Sequence, residues 1–198
     1  MKNNEFYIGI IAITDEELIL RIGKGDQKAY GTLVERHLSM NLGFASKILG
    51  NTADAEEVMQ EAFIRVWKHS NLWDPSRNTK FTTWFYRVVT NLCHDVSRKR
   101  KPQTKTEVLE AMASDEVAAD NLIAVNQRSQ QVKNGLNEIP QRQCTAIILC
   151  YFQGLSNREA AEVMEVSLSA IESYLVRGRR NLAEALKEDK DNLLKDIG

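Results

Sequence analysis

The sequence predicts an all-α protein made of two small helical domains joined by a flexible linker. Apolar residues recur at helical spacing through most of the 198 residues, and no segment gives a clear strand pattern. This periodicity stops between Lys101 and about Asp120, where Pro102, threonines, alanines and acidic residues replace it. We therefore expect one helical domain on each side of a linker.

The first domain opens with two helices. The first starts at Thr14, whose spacing to Glu17 makes a capping box. The second runs from about Asp26 to about Leu49, with apolar residues at helical positions along its length. The sequence Gly50-Asn51-Thr52 then predicts a turn.

The third helix, Asp54 to Lys68, has the clearest pattern in the chain. Its apolar stripe follows the i, i+3, i+4, i+7 rule and consists of Ala55, Val58, Met59, Ala62, Phe63, Val66 and Trp67. The opposite face carries Glu56, Glu57, Gln60 and Glu61. Acidic residues at a helix start complement the helix dipole, so this face has a purely structural explanation.

A loop and a long aromatic helix complete the first domain. Leu72 to Asn78 is predicted as a loop, because the residue before Pro75 is disfavoured in the helical region. The helix from about Thr79 to Arg100 buries one face, formed by Phe81, Trp84, Phe85, Val88, Val89, Leu92 and Val96. Its other face carries Thr82, Thr83, Tyr86, Arg87, Asn91, His94, Asp95 and Arg98. Aromatic side chains beside basic and amide groups suit stacking on unpaired bases, and a core face with a solvated polar back is the alternative.

The second domain begins with two further helices. One carries Leu122, Val125, Val132 and Leu136 and ends at the break Ile139-Pro140. The next runs from Gln141 to Phe152, and Gly154 follows it in the position typical of a helix-ending glycine.

The stretch from Leu155 to Leu182 predicts a helix-turn-helix. Ser156 and Glu159 have the spacing of a capping box, and Val166-Ser167 interrupts the apolar stripe that follows. Ser167 is the expected N-cap of the second helix, with Ser169 and Glu172 as a rival capping box. The inward positions of this second helix are Leu168, Ile171, Leu175 and Leu182.

The outward face of the same helix suits duplex DNA. Its members are Ser169, Ala170, Ser173, Tyr174, Arg177 and Arg180. The residues near the start of the helix would meet base edges in the major groove, and the arginines would meet phosphates. The structural alternative is an αα-hairpin packed inside an all-helical protein.

Composition narrows the class of protein. Hydrophobic residues make up 43% of the chain and charged residues 27%, as is ordinary for a soluble protein. The net charge is −1, whereas free-standing DNA-binding domains are typically basic. The charge balance therefore favours a protein that reaches DNA in the company of a larger partner.

No motif predicts a metal, a cofactor or catalysis. Cys93, Cys144 and Cys150 lie within apolar helical patterns and are expected to be buried reduced thiols. The three histidines do not fall at zinc-ligand spacings, and no phosphate-binding loop or nucleophile motif is present. The apolar run Phe6 to Ile13 is too short to span a bilayer and lacks a signal-peptide pattern, which favours a cytoplasmic protein. The lack of a catalytic motif predicts that the protein is not an enzyme.

The motifs, in this order, resemble those of the extracytoplasmic-function (ECF, group 4) sigma factors of bacterial RNA polymerase, within the sigma-70 family. The sequence AYGTLV at 29–34 resembles that family's first conserved helix, and DAEEVMQEAF at 54–63 is similar to its core-polymerase-binding helix. FTTWFYR at 81–87, followed by Asn91, Asp95 and Arg98, resembles its −10-reading helix. LNEIP at 136–140 with the later helix-turn-helix resembles its −35-reading domain. The resemblance covers about residues 14–187.

This resemblance implies a division of the chain into five parts. They are an N-terminal extension (1–13), a sigma-2 domain (14–101), a linker (102–120), a winged-helix-like sigma-4 domain with the helix-turn-helix (121–187) and a C-terminal tail (188–198). The implied partners are core RNA polymerase, promoter DNA as a −35 duplex and a melted −10 non-template strand, and an anti-sigma factor. No small-molecule substrate is implied.

The resemblance also implies a role for each surface. Polymerase binding would rest on Asp54, Glu57, Gln60 and Glu61. Recognition of the −10 element, including capture of a flipped base by the loop at 73–78, would rest on Trp73, Asp74, Ser76, Arg77, Asn78, Thr83, Tyr86, Arg87, Asn91 and Arg98. Recognition of the −35 element would rest on Ser169, Ala170, Ser173, Tyr174, Arg177, Arg179 and Arg180.

Two positions depart from common patterns of this family, and one pair of residues departs from the pattern of housekeeping sigma factors. Glu165 stands in the helix-turn-helix turn where many members carry Gly, and a left-handed backbone there would cost about 1–2 kcal/mol. Glu172 stands where many relatives are basic, which leaves the −35 sequence preference open. Arg87 and Val88 replace the tryptophan pair of housekeeping sigma factors, as is typical of group 4.

Two other functions remain compatible with the sequence. A stand-alone helix-turn-helix regulator would bind an operator as a dimer, and the acidic and aromatic helices would then be only core. An all-helical adaptor without DNA contact would make the basic clusters solvated surfaces.

Overall fold

The computed structural model describes residues 13–74, 80–100 and 130–195, with side chains described as far as residue 187. Within these ranges every regular element is a helix, as the sequence predicts. The predicted linker, most of the N-terminal extension and the end of the C-terminal tail lie outside the described residues, as do Leu122, Val125, Ser76, Arg77 and Asn78.

The first block contains four α-helices. They are α1 (Asp15–Ile22), α2 (Gln27–Leu49), α3 (Thr52–His69) and α4 (Phe81–Arg100), and a 3₁₀ turn at Ser70–Leu72 follows α3. Side-chain caps set the starts: Thr14 Oγ1 accepts from the Glu17 amide, and Asn51 Oδ1 accepts from the Asp54 amide. Because Asn51 is the cap, α3 begins two residues before the predicted start.

The core of the first block is aromatic. Phe81 stacks on Phe85 with ring centroids 5.4 Å apart, and Phe63 lies 5.1 Å from Phe85. His37 packs against both α4 phenylalanines and places its Nε2 2.7 Å from Asp15 Oδ2. The free amide of Phe81 at the start of α4 donates to Glu16 Oε1 at 2.9 Å, so α1 is tied to α4 as well as to α2.

The second block contains the helical residues 130–138 and three labelled helices. These are α5 (Gln141–Ile147), α6 (Asn157–Met164) and α7 (Leu168–Lys195). The helix predicted over 141–152 changes to a π-helical turn at Ile148–Phe152, and Gly154 follows with a φ of 70°. Gly178 lets α7 approach α5 closely, since a Cβ there would lie 2.9 Å from Ile147 Cδ1.

Two apolar residues predicted to face inward are substantially exposed. Leu168 is 48% exposed because it is the first residue of α7. The apolar face of α7 meets the core only from Ile171 onward. Trp67 is 39% exposed and packs its ring edge-on against Tyr30 at 5.2 Å.

The two blocks pack against each other. The contact is made chiefly by α4 against α6, and hydrogen bonds also join α4 to α5 and to the segment after the π-turn. At another point Asn137 fits against Gly50, the left-handed residue that ends α2. The second block therefore covers one side of α4, so that part of the polar face of this helix is not open to solvent.

Candidate protein-docking and nucleic-acid surfaces

The acidic face of α3 is exposed and lies on the side of the helix opposite its buried apolar stripe. Ala55, Val58 and Met59 are buried, so Glu57 and Gln60 project to solvent on the other side of the helix. Two of the four predicted polymerase-binding residues have cationic partners within the chain. Asp54 pairs with Arg100 at the end of α4, and Glu61 Oε1 accepts from Arg65 Nε at 2.9 Å.

A cavity of about 560 Å³ opens beside the loop that follows α3. Its apolar walls include Trp73 and Trp84, whose rings meet edge to face with centroids 5.9 Å apart. Cationic side chains from the end of α3 line the rim, and Trp73 Nε1 is buried without a hydrogen-bond partner among the described residues. The volume lies in the range of small-ligand sites, and the indoles offer stacking surfaces for a planar group.

The polar face of α4 is only partly open to solvent. Asn91 and Arg98 are exposed, as expected, and Arg98 pairs with Asp95 on its own helix at 2.8 Å. Thr83 and Tyr86 are buried, at 7% and 6% exposure, contrary to the expectation of a solvated face. The reason is tertiary, because the second block packs on this side of the helix.

Tyr86 joins this face of α4 to the second block. Its ring meets Phe44 edge to face at 5.1 Å, and its hydroxyl donates to Gln153 Oε1 at 2.9 Å. Burial raises the pKa of the Tyr86 phenol. The phenol therefore stays protonated and acts as a hydrogen-bond donor to the second block.

The outward face of α7 presents four of the predicted DNA-binding residues together. Ser169, Ser173, Arg177 and Arg180 recur at helical spacing on the side opposite the buried Ile171 and Leu175. Both arginines of this group are exposed, and no ion pair involves them within the described residues. Hydroxyls near the helix start followed by cations match the order of base and phosphate contacts in a recognition helix.

The other three predicted −35 residues lie at the edges of this face. Arg179 donates from Nη1 to the Tyr151 hydroxyl at 3.1 Å, and the Tyr174 hydroxyl accepts from Arg142 Nη1 at 3.3 Å. Ala170 is half-buried. Arg142 and Tyr151 were not among the residues singled out from the sequence, because nothing in their local pattern distinguishes them from ordinary helix positions.

The turn between α6 and α7 has the predicted caps and the predicted strain. The capping box of Ser156 and Glu159 is complete, and hydrogen bonds from Ser156 hold the pKa of the Glu159 carboxyl below its usual value. Ser167 Oγ accepts from the Ala170 amide, so Ser167 and not Ser169 caps α7. Glu165 is left-handed, with φ 53° and ψ 45°, and is the only non-glycine residue with positive φ in the described ranges.

The thiols divide into two kinds. Cys93 and Cys144 are buried, and burial raises the pKa of each to about 12. Cys150 is half-buried, contrary to the prediction, because it lies in the π-turn and directs its Sγ toward Asn157 Oδ1 at 3.7 Å. No group of three or more His, Cys, Asp or Glu residues in the described part of the chain is arranged to hold a metal ion.

Sequence reasoning also missed an apolar groove between α2 and α3. It has a volume of about 600 Å³ and is lined by Tyr30, Val34, Leu38, Leu42, Glu56, Met59, Gln60, Phe63 and Ile64. Leu38 and Ile64 on its walls are each about two-fifths exposed, at 41% and 43%. The signal was present, since both are large apolar residues beside the main helical stripe.

Comparison with known proteins links the chain to one family. Residues 33–103 match the family model of sigma-70 region 2, and residues 129–182 match that of sigma-70 region 4. The ECF RNA polymerase sigma factor SigW of Bacillus subtilis is 30% identical over 180 residues, which cover 86% of this chain and 95% of SigW. The ECF RNA polymerase sigma-E factor of Escherichia coli K12 is 28% identical over 177 residues, covering 84% and 91% of the two chains.

Solved structures support the fold. CnrH in complex with the cytosolic domain of CnrY superposes with a TM-score of 0.66 at 24% identity and covers 88% of this chain and 98% of that one. The sigma factor RpoE of Bartonella quintana, in complex with the anti-sigma factor NepR, gives a TM-score of 0.64 at 22% identity, with 81% and 98% covered. Within the described ranges, no helix is both long and apolar enough to cross a bilayer.

Proposed function

The chain belongs to the extracytoplasmic-function sigma factors of the sigma-70 family, and from this premise we propose which of its surfaces direct RNA polymerase to promoters. One observation carries the proposal: the region 2 match falls on the first helical block, and the region 4 match falls on the second. Recognition of a promoter through both a −10 and a −35 element needs a reader for each, and the chain has one block for each.

The acidic face of α3 docks on the polymerase core. Glu57 and Gln60 are exposed next to a fully packed apolar stripe, so they can be contacted without disturbing the fold. A carboxylate face suits a basic partner surface, since complementary charge raises the association rate and fixes the register. Asp54 and Glu61 belong to the same face, although each already has an arginine beside it.

The first block reads the −10 element as unpaired DNA. The cavity lined by Trp73 and Trp84 accepts a base flipped from the non-template strand, with stacking on the indoles and cations near the backbone. Arg87, Asn91 and Arg98 follow along α4, where a single strand leaving the cavity would run. Thr83 and Tyr86 join this surface only when the second block moves away. The same is true of Arg87, which donates to the Glu162 carbonyl of the second block at 2.9 Å.

The second block reads the −35 element as duplex DNA. Ser169 and Ser173 face base edges, and Arg177 and Arg180 neutralise phosphates. Arg179 and Tyr174 support this face from its edges through Tyr151 and Arg142. Contacts to phosphate make this part of the affinity sensitive to salt.

We also propose an anti-sigma factor as a partner of this chain and the cytoplasm as its location. Two fold relatives are solved with CnrY and with the anti-sigma factor NepR, respectively, which supports an anti-sigma factor as a partner of this chain. A factor that binds bacterial RNA polymerase would work in the cytoplasm, and the chain itself would perform no catalytic step. A dimeric stand-alone regulator is not favoured, because it leaves the region 2 match without a role.

Reconstitution tests the proposal. Purified chain is added to bacterial core polymerase, and the complex is selected against a library of promoter fragments in a run-off transcription assay. We expect a stable complex and initiation confined to fragments that share a −10 and a −35 motif. Failure to form a complex with core enzyme would remove the proposed function.

A further inference from the structure

We infer that the apolar segment before α1 folds back over α2 and that Phe6 and Tyr7 occupy the groove between α2 and α3. The segment, residues 6–13, reads FYIGIIAI and carries no charged side chain. The docking is argued from the chemistry of the groove and from the reach of the chain. Only its effect on polymerase binding rests on the proposed function.

The walls of the groove suit an apolar occupant. Leu38 of α2 and Ile64 of α3 are 41% and 43% exposed there, and Tyr30 and Phe63 add aromatic rings to the lining. Soluble monomers rarely leave a continuous apolar surface uncovered unless it serves as a binding site. Aromatic side chains pack favourably on other rings, so the two aromatic residues of the segment match this lining.

The chain enters the first block level with the middle of the groove. The main-chain carbonyl of Ile13 accepts from Arg36 Nη1 at 2.8 Å, and the Ile13 side chain packs against the core. Arg36 lies between Val34 and Leu38 on α2, and both of these residues line the groove. The segment is therefore anchored at the height along α2 where the groove is found.

The anchor and the groove lie on opposite sides of α2. Each helical residue turns the chain by about 100°, so Arg36 is about 200° round the helix from Val34. The face between these two residues is exposed at Glu35 and Ser39. A chain that leaves Ile13 can therefore cross this face without displacing a packed helix.

The length of the segment matches the crossing. Half the circumference of a helix about 10–12 Å across is about 17 Å. Tyr7 precedes Ile13 by six residues, which reach about 20 Å when they are extended. Residues 8–12 thus suffice to cross α2 and to bring Phe6 and Tyr7 to the groove.

A tethered occupant is favoured over a separate molecule. Because the segment is held at Ile13, it meets the groove at an effective concentration on the order of millimolar, as for a short flexible linker. A second copy of the chain or another protein would have to compete with it at that concentration.

Docking would cover part of the proposed polymerase-binding face. Gln60 belongs to that face and also lines the groove, and Glu56 lines the groove one turn earlier on α3. The segment and core polymerase would then exclude each other at Gln60. Such competition lowers the apparent affinity for polymerase by the fraction of molecules whose groove is open.

Photo-crosslinking in the full chain tests the docking without polymerase. Leu38→benzoylphenylalanine places a photoreactive group on the groove wall, and crosslinked peptides are identified by mass spectrometry. We expect crosslinks within one chain to Phe6 or Tyr7. Glu184→benzoylphenylalanine, at an exposed position of the second block, should give no crosslink to residues 1–12.

Two matched double substitutions separate apolar docking from proximity. Phe6→Ser with Tyr7→Ser should lower the total yield of crosslinks to residues 1–12 by about tenfold or more, because the side chains that would leave water are removed. Asn3→Ser with Asn4→Ser changes two polar residues of the same part of the chain and should leave the yield unchanged. A circular-dichroism melting curve for each variant excludes unfolding as the cause.

Titration with core polymerase tests the competition. Phe6→Ser with Tyr7→Ser should tighten binding of core polymerase by about tenfold, since the groove is then open in every molecule. Asn3→Ser with Asn4→Ser should bind like the parent chain.

The outcomes decide the two parts of the inference separately. Absence of crosslinks to residues 1–12, or a yield that survives Phe6→Ser with Tyr7→Ser, overturns the docking. Crosslinks that join two chains assign the groove to a second copy and overturn it as well. Polymerase affinity that this pair leaves unchanged or weakens overturns the competition. Absence of a polymerase complex with every variant refutes the proposed function instead, and the crosslinks still decide the docking.

Discussion

Asp54, near the start of α3, pairs its carboxylate with Arg100 at the end of α4. The pair links the acidic face of α3 to the basic end of α4. It also means that the charge of Asp54 is offset before any partner arrives. Glu57, one turn further along, has no ion pair within the described residues and remains exposed. Within the acidic face, the charge of Glu57 is therefore more available to a partner than the charge of Asp54.

This difference predicts unequal effects on polymerase binding. Glu57→Lys should weaken binding of core polymerase by about tenfold or more, because it reverses an unpaired charge at the interface. Asp54→Asn should weaken it less, since Arg100 already offsets the carboxylate. Titration of labelled core polymerase measures both, and Glu35→Lys, an exposed change of the same charge on α2, is the matched control. Equal losses in Glu57→Lys and Glu35→Lys, which change the net charge by the same amount, would point to net charge rather than to this face.

The recognition face makes a second prediction, about salt. Arg177→Ala should weaken promoter binding at physiological salt and lower the slope of log affinity against log salt by about one, as for one lost phosphate contact. Arg179→Ala should change the slope less, because Arg179 is directed toward Tyr151. Filter binding of the holoenzyme over a salt series gives the slopes. Tyr151→Phe controls for loss of the Arg179 contact alone. A slope unchanged by Arg177→Ala would assign that arginine to structure.

The local signals of the sequence predicted most of the helices. The caps at Thr14 and Ser156 act within one turn, so their patterns can be seen without knowledge of the fold. The cap at Asn51 was missed, and α3 begins two residues before the predicted start. The change to a π-turn at Ile148–Phe152 was not predictable, because it depends on how α5 meets its neighbours. The same is true of Leu168, whose exposure depends on where the core begins.

The sequence predicted which residues share a surface, but not which of them are exposed to solvent. Spacing alone groups Ser169, Ser173 and Arg177 on one face, and the structure presents them so. Spacing equally placed Tyr86 and Arg87 on an open polar face of α4. Their actual surroundings come from Gln153, Glu162 and Glu165, far along the chain, and no local pattern announces such a contact.

Glu165 allows its backbone strain to be measured apart from its charge. Glu165→Gly and Glu165→Ala both remove the carboxylate, but only glycine is free of the left-handed penalty. We expect the glycine variant to be more stable than the alanine variant by about 1 kcal/mol. Urea unfolding followed by circular dichroism measures the difference. As a matched pair, Glu162→Gly and Glu162→Ala should show the opposite order, since this position is in the interior of α6, where glycine is unfavourable. Equal stability of the two variants at 165 would contradict a left-handed backbone there.

The contact of Asp15 with His37 predicts how the first block responds to acid. Burial by itself would raise the pKa of Asp15, but hydrogen bonds and charges from His37 and Arg36 outweigh it and hold that pKa below its ordinary value of 3.8. A carboxyl whose pKa is lower in the folded than in the unfolded chain stabilises the fold fully above the unfolded value. This stabilisation is lost as the pH falls through the lowered value.

Asp15→Asn removes the titrating group and provides the comparison. Near neutral pH the parent chain should be more stable than Asp15→Asn by about 1–2 kcal/mol, the contribution of hydrogen bonds to a charged group. The gap should stay constant down to about pH 5 and narrow below about pH 4, where the parent carboxyl takes up its proton. Urea unfolding monitored by tryptophan fluorescence at each pH measures the gap. Glu17→Gln, which affects a pair that is half-exposed on both sides, should change stability little at any of these pH values. A gap that widens on acidification would mean that Asp15 is held protonated in the fold and that His37 and Arg36 do not stabilise its charge.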